Sequence, residues 1–322
     1  MAAGSNKVGC AGIIVADTIC GPIAQLPAEG QLTIVDEMPT KIGGCAANVA
    51  VDLAKQGVDA ELVGCVGNDP AATALRQAIS AAGVGCDAMV SVNGSPTSTT
   101  VILLVEGEDR RFIHTFGANT AFGMQHVQRD WLDGLGIFYL GGLFVLPSLD
   151  PAELVDTLTF CREHGVVTVV DVVVGEQFDQ HEVLRQVLPH TDYFIPNDDE
   201  ARRMTGKDQP LDQLRVLAEL GAAQVIITCG EDGCIAASEG RYWRAAAHRM
   251  DVIDPSGCGD AFTSGVITAL GSDEGLVDVI RYASAIGAAA TQARGTTDGV
   301  CSCAEAKAFV QAYPLEVESG VL

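Results

Sequence analysis

The chain has 322 residues, 48% of them hydrophobic, with 19 Lys+Arg against 42 Asp+Glu and a formal net charge of −23. That length suits one large α/β domain or two smaller ones, and a charged fraction of only 19% with plentiful aliphatic residues excludes collagen-like, coiled-coil and disordered classes. So acidic a chain repels phosphate backbones and offers no basic stripe, which excludes nucleic acid as the main partner and requires a locally positive site for any anionic ligand.

Residues 1–7 are small and polar with no apolar leader core, and no run approaches the roughly 18 apolar residues of a membrane span. The eleven cysteines are odd in number and include no Cys-x-x-Cys pair; Cys301 and Cys303 form a Cys-x-Cys. Most of the eleven read as small buried hydrophobes of a protein in a reducing cytoplasm.

Residues 8–16 read as a buried strand whose C-terminal end delivers Asp17. Residues 18–42 look like an excursion of short strands. A helix follows over 43–56, opened by two glycines, rich in alanine and stopped by Gly57. A strand at 61–66 precedes a helix over 70–82 with Asp69 as N-cap and Pro70 in its first turn. Two β-rich runs, 97–105 and 110–115, flank a Glu-Gly-Glu-Asp turn and are assigned with 18–42 to a small accessory sheet.

From residue 137 onward, strands at 137–140, 166–171, 192–195 and 223–228 alternate with helices at 151–164, 180–188, 198–205 and 210–220, the pattern of parallel strands under covering helices. Short strands at 233–237 and 240–246 precede helices over 258–270 and 275–292. The whole is predicted to be one α/β domain with a β-rich appendage.

The segment Asp254-Pro255-Ser256-Gly257-Cys258-Gly259-Asp260 carries the most chemistry. A glycine-rich turn entering an apolar helix leaves successive backbone N–H groups at 257–259 without intrahelical acceptors, an arrangement that binds anions. Asp260, in that first turn, can take a proton from a hydroxyl brought beside a phosphate, although the same letters also suit an ordinary acidic helix start. No G-x-x-x-x-G-K-[ST] string occurs, and the dinucleotide pattern fails because Phe262 stands where its third glycine belongs.

Gly43-Gly44-Cys45-Ala46-Ala47-Asn48 and Asp254 to Asp260 together resemble the two signatures of the ribokinase-like carbohydrate kinases, the phosphofructokinase B family. The resemblance extends from Val8 to about Val310. It implies a three-layer α/β/α sandwich with a mostly parallel central sheet and a β-strand lid, here from about 18–42 and 97–116, and ATP- and Mg²⁺-dependent phosphorylation of a hydroxymethyl group on a small sugar. By that similarity Asp260 is the base, Gly257, Cys258 and Gly259 form the anion hole, and Asp17, Gly43, Gly44 and Asn48 bind substrate. Asn197 and Glu200 resemble an Asn-x-x-Glu associated with Mg²⁺ through water, and Thr228, Gly230 and Gly233 a loop beside the nucleotide. The Asp254 loop with residues 294–297 resembles a monovalent-cation site, for K⁺.

Departures from the family pattern narrow the expectation. Cys45 stands where some members have Lys, and Val15 where ribose-specific members often have Asn, which argues against ribose and against an already phosphorylated sugar; Lys41, Arg110 and Arg111 remain as lid charges, and Gly117-Ala118-Asn119 pulls back toward ribokinase. A nucleoside kinase of the same fold is the alternative, with Phe112, Phe116 and Phe144 either available to a base or part of the core; a noncatalytic sugar or nucleotide sensor is a further one. Two more expectations are a homodimer through the lid edge and a lowered thiol pKa at Cys258 that would make it oxidation-sensitive.

Overall fold

The computed structural model describes residues 6–108, 110–174, 180–272 and 275–322. Asp109 of the expected hairpin turn and the first five residues lie outside them.

The chain begins with β1 (Val8–Gly12), an unbroken apolar run buried along its length, then β2 (Val15–Ile23), β3 (Thr40–Gly43) and α1 (Cys45–Lys55). β4 (Ala60–Val63), β5 (Cys65–Val66), α2 (Pro70–Ala81), β6 (Val90–Ser91), β7 (Thr99–Val105), β8 (Arg111–Thr115) and the short α3 (Arg129–Asp133) complete the first half. α2 starts as its sequence dictates: the Asp69 carboxylate accepts the Ala72 N–H at 2.9 Å, with Pro70 in the first turn.

The second half alternates regularly: β9 (Ile137–Gly141), α4 (Pro151–Glu163), β10 (Val167–Val170), α5 (Gln180–Val187), β11 (Tyr193–Phe194), α6 (Asp198–Thr205), α7 (Pro210–Glu219) and β12 (Gln224–Thr228). β13 (Cys234–Ser238), β14 (Arg241–Ala245), α8 (Cys258–Leu270), α9 (Leu276–Ala290), α10 (Cys303–Ala312) and β15 (Val317–Val321) follow.

A nine-stranded sheet runs β15-β14-β13-β12-β11-β10-β9-β1-β4; pairing is parallel from β4 to β12 and antiparallel from β12 to β15. Its inner strands, such as β1, β9 and β12, are mostly apolar on both faces because both are covered, whereas the edge strands β14 and β15 are partly exposed. α1, α2, α8, α9 and α10 contribute to one apolar layer, and α3 to α7 to the other. This is the expected α/β class. A separate four-stranded sheet, β3-β2-β7-β8, collects the strands of the N-terminal excursion and the hairpin.

Several boundaries differ from expectation. The single strand over 8–16 is two, β1 in the large sheet and β2 in the small one. At the intervening Ile13 and Ile14 the chain turns away, and the Asn119 side chain bonds the backbone of Ile14 on both sides, donating to its carbonyl at 2.9 Å and accepting its N–H at 3.3 Å. Asp17 therefore lies inside β2, near the start of the small sheet. The strand over 61–66 also breaks, its second part pairing with β6 as a two-stranded ribbon. Residues 24–39 contain no strand. α10 and β15 have no counterpart among the sequence-predicted elements.

Candidate active site

Parallel α/β sheets bind ligands outside the carboxyl ends of their strands. Five candidate carboxylates or loops arrive near that edge here: Asp17 beyond β1, Asp171 directly after β10, Asn197 and Glu200 after β11, and Thr228 at the end of β12. α8 begins there too. Gly257 caps it with φ +74°, and a Cβ at that position would sit 2.0 Å from the Thr296 carbonyl oxygen, so only glycine allows the turn to close onto the 294–297 loop. A Cβ on Gly259 would meet nothing within 4 Å, which leaves open space beside the first-turn N–H groups.

Asp260 occupies that first turn. Its Oδ2 accepts a 2.8 Å hydrogen bond from Asn48 Nδ2 on α1, and the Cys45 thiol also donates to it. Desolvation raises its pKa above the ordinary carboxylate range while these two donors oppose the rise. α1 can approach α8 closely because it carries Ala46, Ala47 and Ala50, which share a buried layer with Ala261 of α8. The Gly-Gly-x-x-x-Asn motif of residues 43–48 and Asp260 are thereby brought together.

Asp17 is buried in β2. Desolvation pushes its pKa up to about 6, against a hydrogen bond from Thr100, and the Asp260 charge adds to the rise. A Cβ on Gly43 would lie 2.0 Å from Asp17 Oδ2, so the glycine permits the carboxylate to pack flat on β3. Thr100 also pairs at 3.0 Å with His114 Nδ1 on β8. Phe112, two residues before His114, therefore shares the strand face that looks toward Asp17.

Asp171 was not singled out from sequence, although an Asp closing an apolar strand is the signal used for Asp17. It is fully enclosed: Tyr139 donates its hydroxyl to Oδ2 and Gly142 its N–H to Oδ1 at 2.7 Å, while burial and Asp260 push its pKa well up. Cys45, Asp171 and Asp260 place their ligand atoms within 4.8 Å of one another. The thiol is bound to Asp260, while Asp171 is held separately by Tyr139 and Gly142.

Asn197 and Glu200 form a capping box on α6: Asn197 Oδ1 accepts the Glu200 N–H at 2.8 Å and Glu200 Oε2 accepts the Asn197 N–H at 2.9 Å. The pKa of Glu200 is pushed up to about 7 by desolvation and by Asp260, against the backbone donors of Asn197 and Val174 and the charge of Arg203. Asn197 bridges Thr228, and the Thr228 N–H reaches the Pro196 carbonyl at 3.1 Å. Gly230 and Gly233 close the turn beyond, where Cys229 N–H meets the Gly233 carbonyl at 2.7 Å.

The Asp254 carboxylate accepts Ser256 N–H at 2.9 Å, Ser256 Oγ at 2.7 Å and Gly295 N–H at 3.1 Å, with Arg110 at 3.6 Å, and these donors hold its pKa low. Arg110 also donates to Ser256 Oγ and lies 5.8 Å from the Phe112 ring, linking the small sheet to the α8 turn. Lys41 pairs with Asp298 and Arg111 with Glu108.

One sequence expectation is corrected, and another is decided between its two readings. Cys258 has a raised thiol pKa: its side chain packs against the core beside Asp260, and desolvation and that charge outweigh Arg110 and the first-turn N–H groups. Phe144 is core, 4% exposed, whereas Phe112 and Phe116 are exposed. No helix among the described residues is long and apolar enough to cross a membrane.

A family model described as pfkB family carbohydrate kinase matches residues 6–302. Among curated relatives, fructoselysine 6-kinase of Escherichia coli (strain K12) is 27% identical over 257 residues, 79% of this chain and 90% of its own length. Ribokinase of Bacillus subtilis (strain 168) is 25% identical over 259 residues, 80% and 84% of the two lengths. Among solved structures, Arabidopsis thaliana ribokinase complexed with ribose and ATP superposes with a TM-score of 0.83 at 23% identity, covering 96% of this chain and 99% of that one. The fold is that of the ribokinases.

Proposed function

The chain belongs to the pfkB family of carbohydrate kinases and is a phosphotransferase; from that premise we propose that it moves the terminal phosphoryl group of ATP to a hydroxymethyl oxygen of a small, unphosphorylated sugar. The single observation that carries this reading is Asp260 in the first turn of α8, anchored at 2.8 Å by Asn48 beside open N–H groups.

Asp260 takes the proton of the attacking hydroxyl as the new O–P bond forms and the bond to ADP breaks. Phosphoryl transfer is loose, so alignment and charge neutralisation dominate and the base need not be strong. The amides of Gly257, Cys258 and Gly259 receive phosphate charge, and Asp17 accepts hydrogen bonds from sugar hydroxyls. The four-stranded sheet serves as the lid, tied to the α8 turn through Arg110.

The donor set suits Mg²⁺ near Glu200, because the Asp260 charge raises the pKa of both Glu200 and Asp171, Glu200 adds to the rise at Asp171, and nearby positive charge would relieve that repulsion. Bound there, Mg²⁺ supplies charge neutralisation on the polyphosphate, with Glu200 acting through water.

An unphosphorylated substrate follows from charge. Asp17, Asp171 and Asp260 surround the acceptor side, Cys45 replaces a family Lys, and Lys41 and Arg110 are engaged by Asp298 and Asp254. A nucleoside is the second reading, favoured by Phe112, 58% exposed on the His114 face of β8. A coupled ADP-release screen over sugars, sugar phosphates and nucleosides tests both. Turnover is expected with unphosphorylated sugars; preference for a sugar phosphate would contradict the charge argument, and preference for a nucleoside would select the second reading.

A further inference from the structure

α1 turns three polar side chains, one helical turn apart, toward the protein interior: Asn48, Asp52 and Gln56 are 3%, 0% and 6% exposed. The outer two have partners on α8, Asn48 Nδ2 to Asp260 at 2.8 Å and Gln56 Nε2 to Ser264 Oγ at 2.8 Å, and Tyr282 of α9 donates to Gln56 Oε1 at 3.1 Å. Asp260 and Ser264 are themselves one turn apart, so the two pairs are in register and Asp52 falls between them.

Both Asp52 oxygens, and Asn48 Oδ1 one turn away, are buried without a hydrogen-bond partner. Three unpaired acceptors on successive turns are costly as written, and an ionised carboxylate among them more so. One proton resolves most of this: on Asp52 it turns an acceptor into a donor aimed at a neighbour within i,i+4 reach.

We propose that Asp52 is a positioning residue for the base, remaining protonated and donating its O–H to Asn48 Oδ1 so that the Asn48 amide is locked with Nδ2 toward Asp260. Without that lock the amide can turn over and set its oxygen against the Asp260 carboxylate. The groups facing Asp52 agree with a neutral acid. Asp260 from α8 and Asp298 from the loop after α9 add to desolvation in pushing its pKa well up, and Lys55 of its own helix opposes them while donating to the Thr297 carbonyl. Asp260 in turn faces the Cys45 thiol and the Asp17, Asp171 and Glu200 carboxyls.

This rests on Asp260 being the base, and the test separates the two. Asp52→Asn keeps a donor for Asn48 and is expected to retain wild-type kcat and its acid limb. Asp52→Leu removes the donor, and the acid limb of kcat should move up by about one pH unit with KM for ATP unchanged. A purely structural role would change thermal stability and leave the limb in place. An unmoved limb in Asp52→Leu overturns the proposal, as does an Asp52→Asn protein as impaired as Asp52→Leu, which would make Asp52 an anion holding a cation. Infrared difference spectra give a reading independent of activity: wild type minus Asp52→Asn at neutral pH should show the carbonyl stretch of a protonated carboxylic acid. Absence of that band overturns the proposal even if Asp52→Leu does not fold or Asp260 proves not to be the base.

Discussion

The α1/α8 seam and the α6/β12 edge both contribute side chains to the site, but they are held in opposite ways. Asn48 and Asp260 are 212 residues apart and meet in a part-buried contact with closely packed helices around it. Asn197 and Glu200 are three residues apart and satisfy each other at a helix end where Asn197 is exposed and Glu200 half-buried. The first region is set by tertiary packing, so small changes there propagate to the Asn48–Asp260 contact. The second is set by local capping and tolerates change with a graded loss.

That contrast can be broken at either end. Asp260→Asn should lower kcat by about 10³-fold, the usual reach of a general base, checked by steady-state ADP release. Gly257→Ala forces a Cβ onto the Thr296 carbonyl in a left-handed turn and should cost about 2 kcal/mol or more of stability, measured by denaturant unfolding, together with a loss of ATP affinity.

Asp17→Asn sharpens the picture through pH. Its folded pKa of about 6 lies above the ordinary 3.8, so the folded state binds that proton more tightly. Its contribution to stability is full below the unfolded value and is lost as pH rises through about 6. Relative to wild type, Asp17→Asn should gain up to about 3 kcal/mol at pH 8 and almost nothing at pH 4, while sugar affinity falls. Urea unfolding at the two pH values, beside sugar titration, checks it; equal effects at both would reject the buried carboxylate as the source. At the other edge, Glu200→Gln should raise the Mg²⁺ requirement about tenfold, read from activity against Mg²⁺ concentration. Asn197→Ala should cost about 1 kcal/mol as a lost cap.

Much of this organisation was legible in the letters. Helix starts with a local mechanism, such as Asp69-Pro70 and Asn197 with Glu200, could be read because donor and acceptor are close in sequence. The alternation after residue 137 gave the parallel sheet, and the glycine-rich turn before Asp260 gave the start of α8. What escaped was non-local. Nothing in residues 8–16 announces that Asn119 will bond the Ile14 backbone and send the chain into a second sheet. β15 forms only because β14 offers it an edge. Cys258 looked reactive from its place at a helix N-terminus, yet its pKa is raised because desolvation and Asp260 outweigh the dipole. Asp171 and Asp52 carry no motif, and their meaning comes from what surrounds them.

The most direct test of the central claim is a single-turnover experiment, with enzyme in excess over ATP labelled in its terminal phosphate and the best sugar from the screen. Wild type should pass the label to the sugar, whereas Asp260→Asn should bind the ATP and leave it intact. Transfer of label at equal rates by the two proteins would contradict the account.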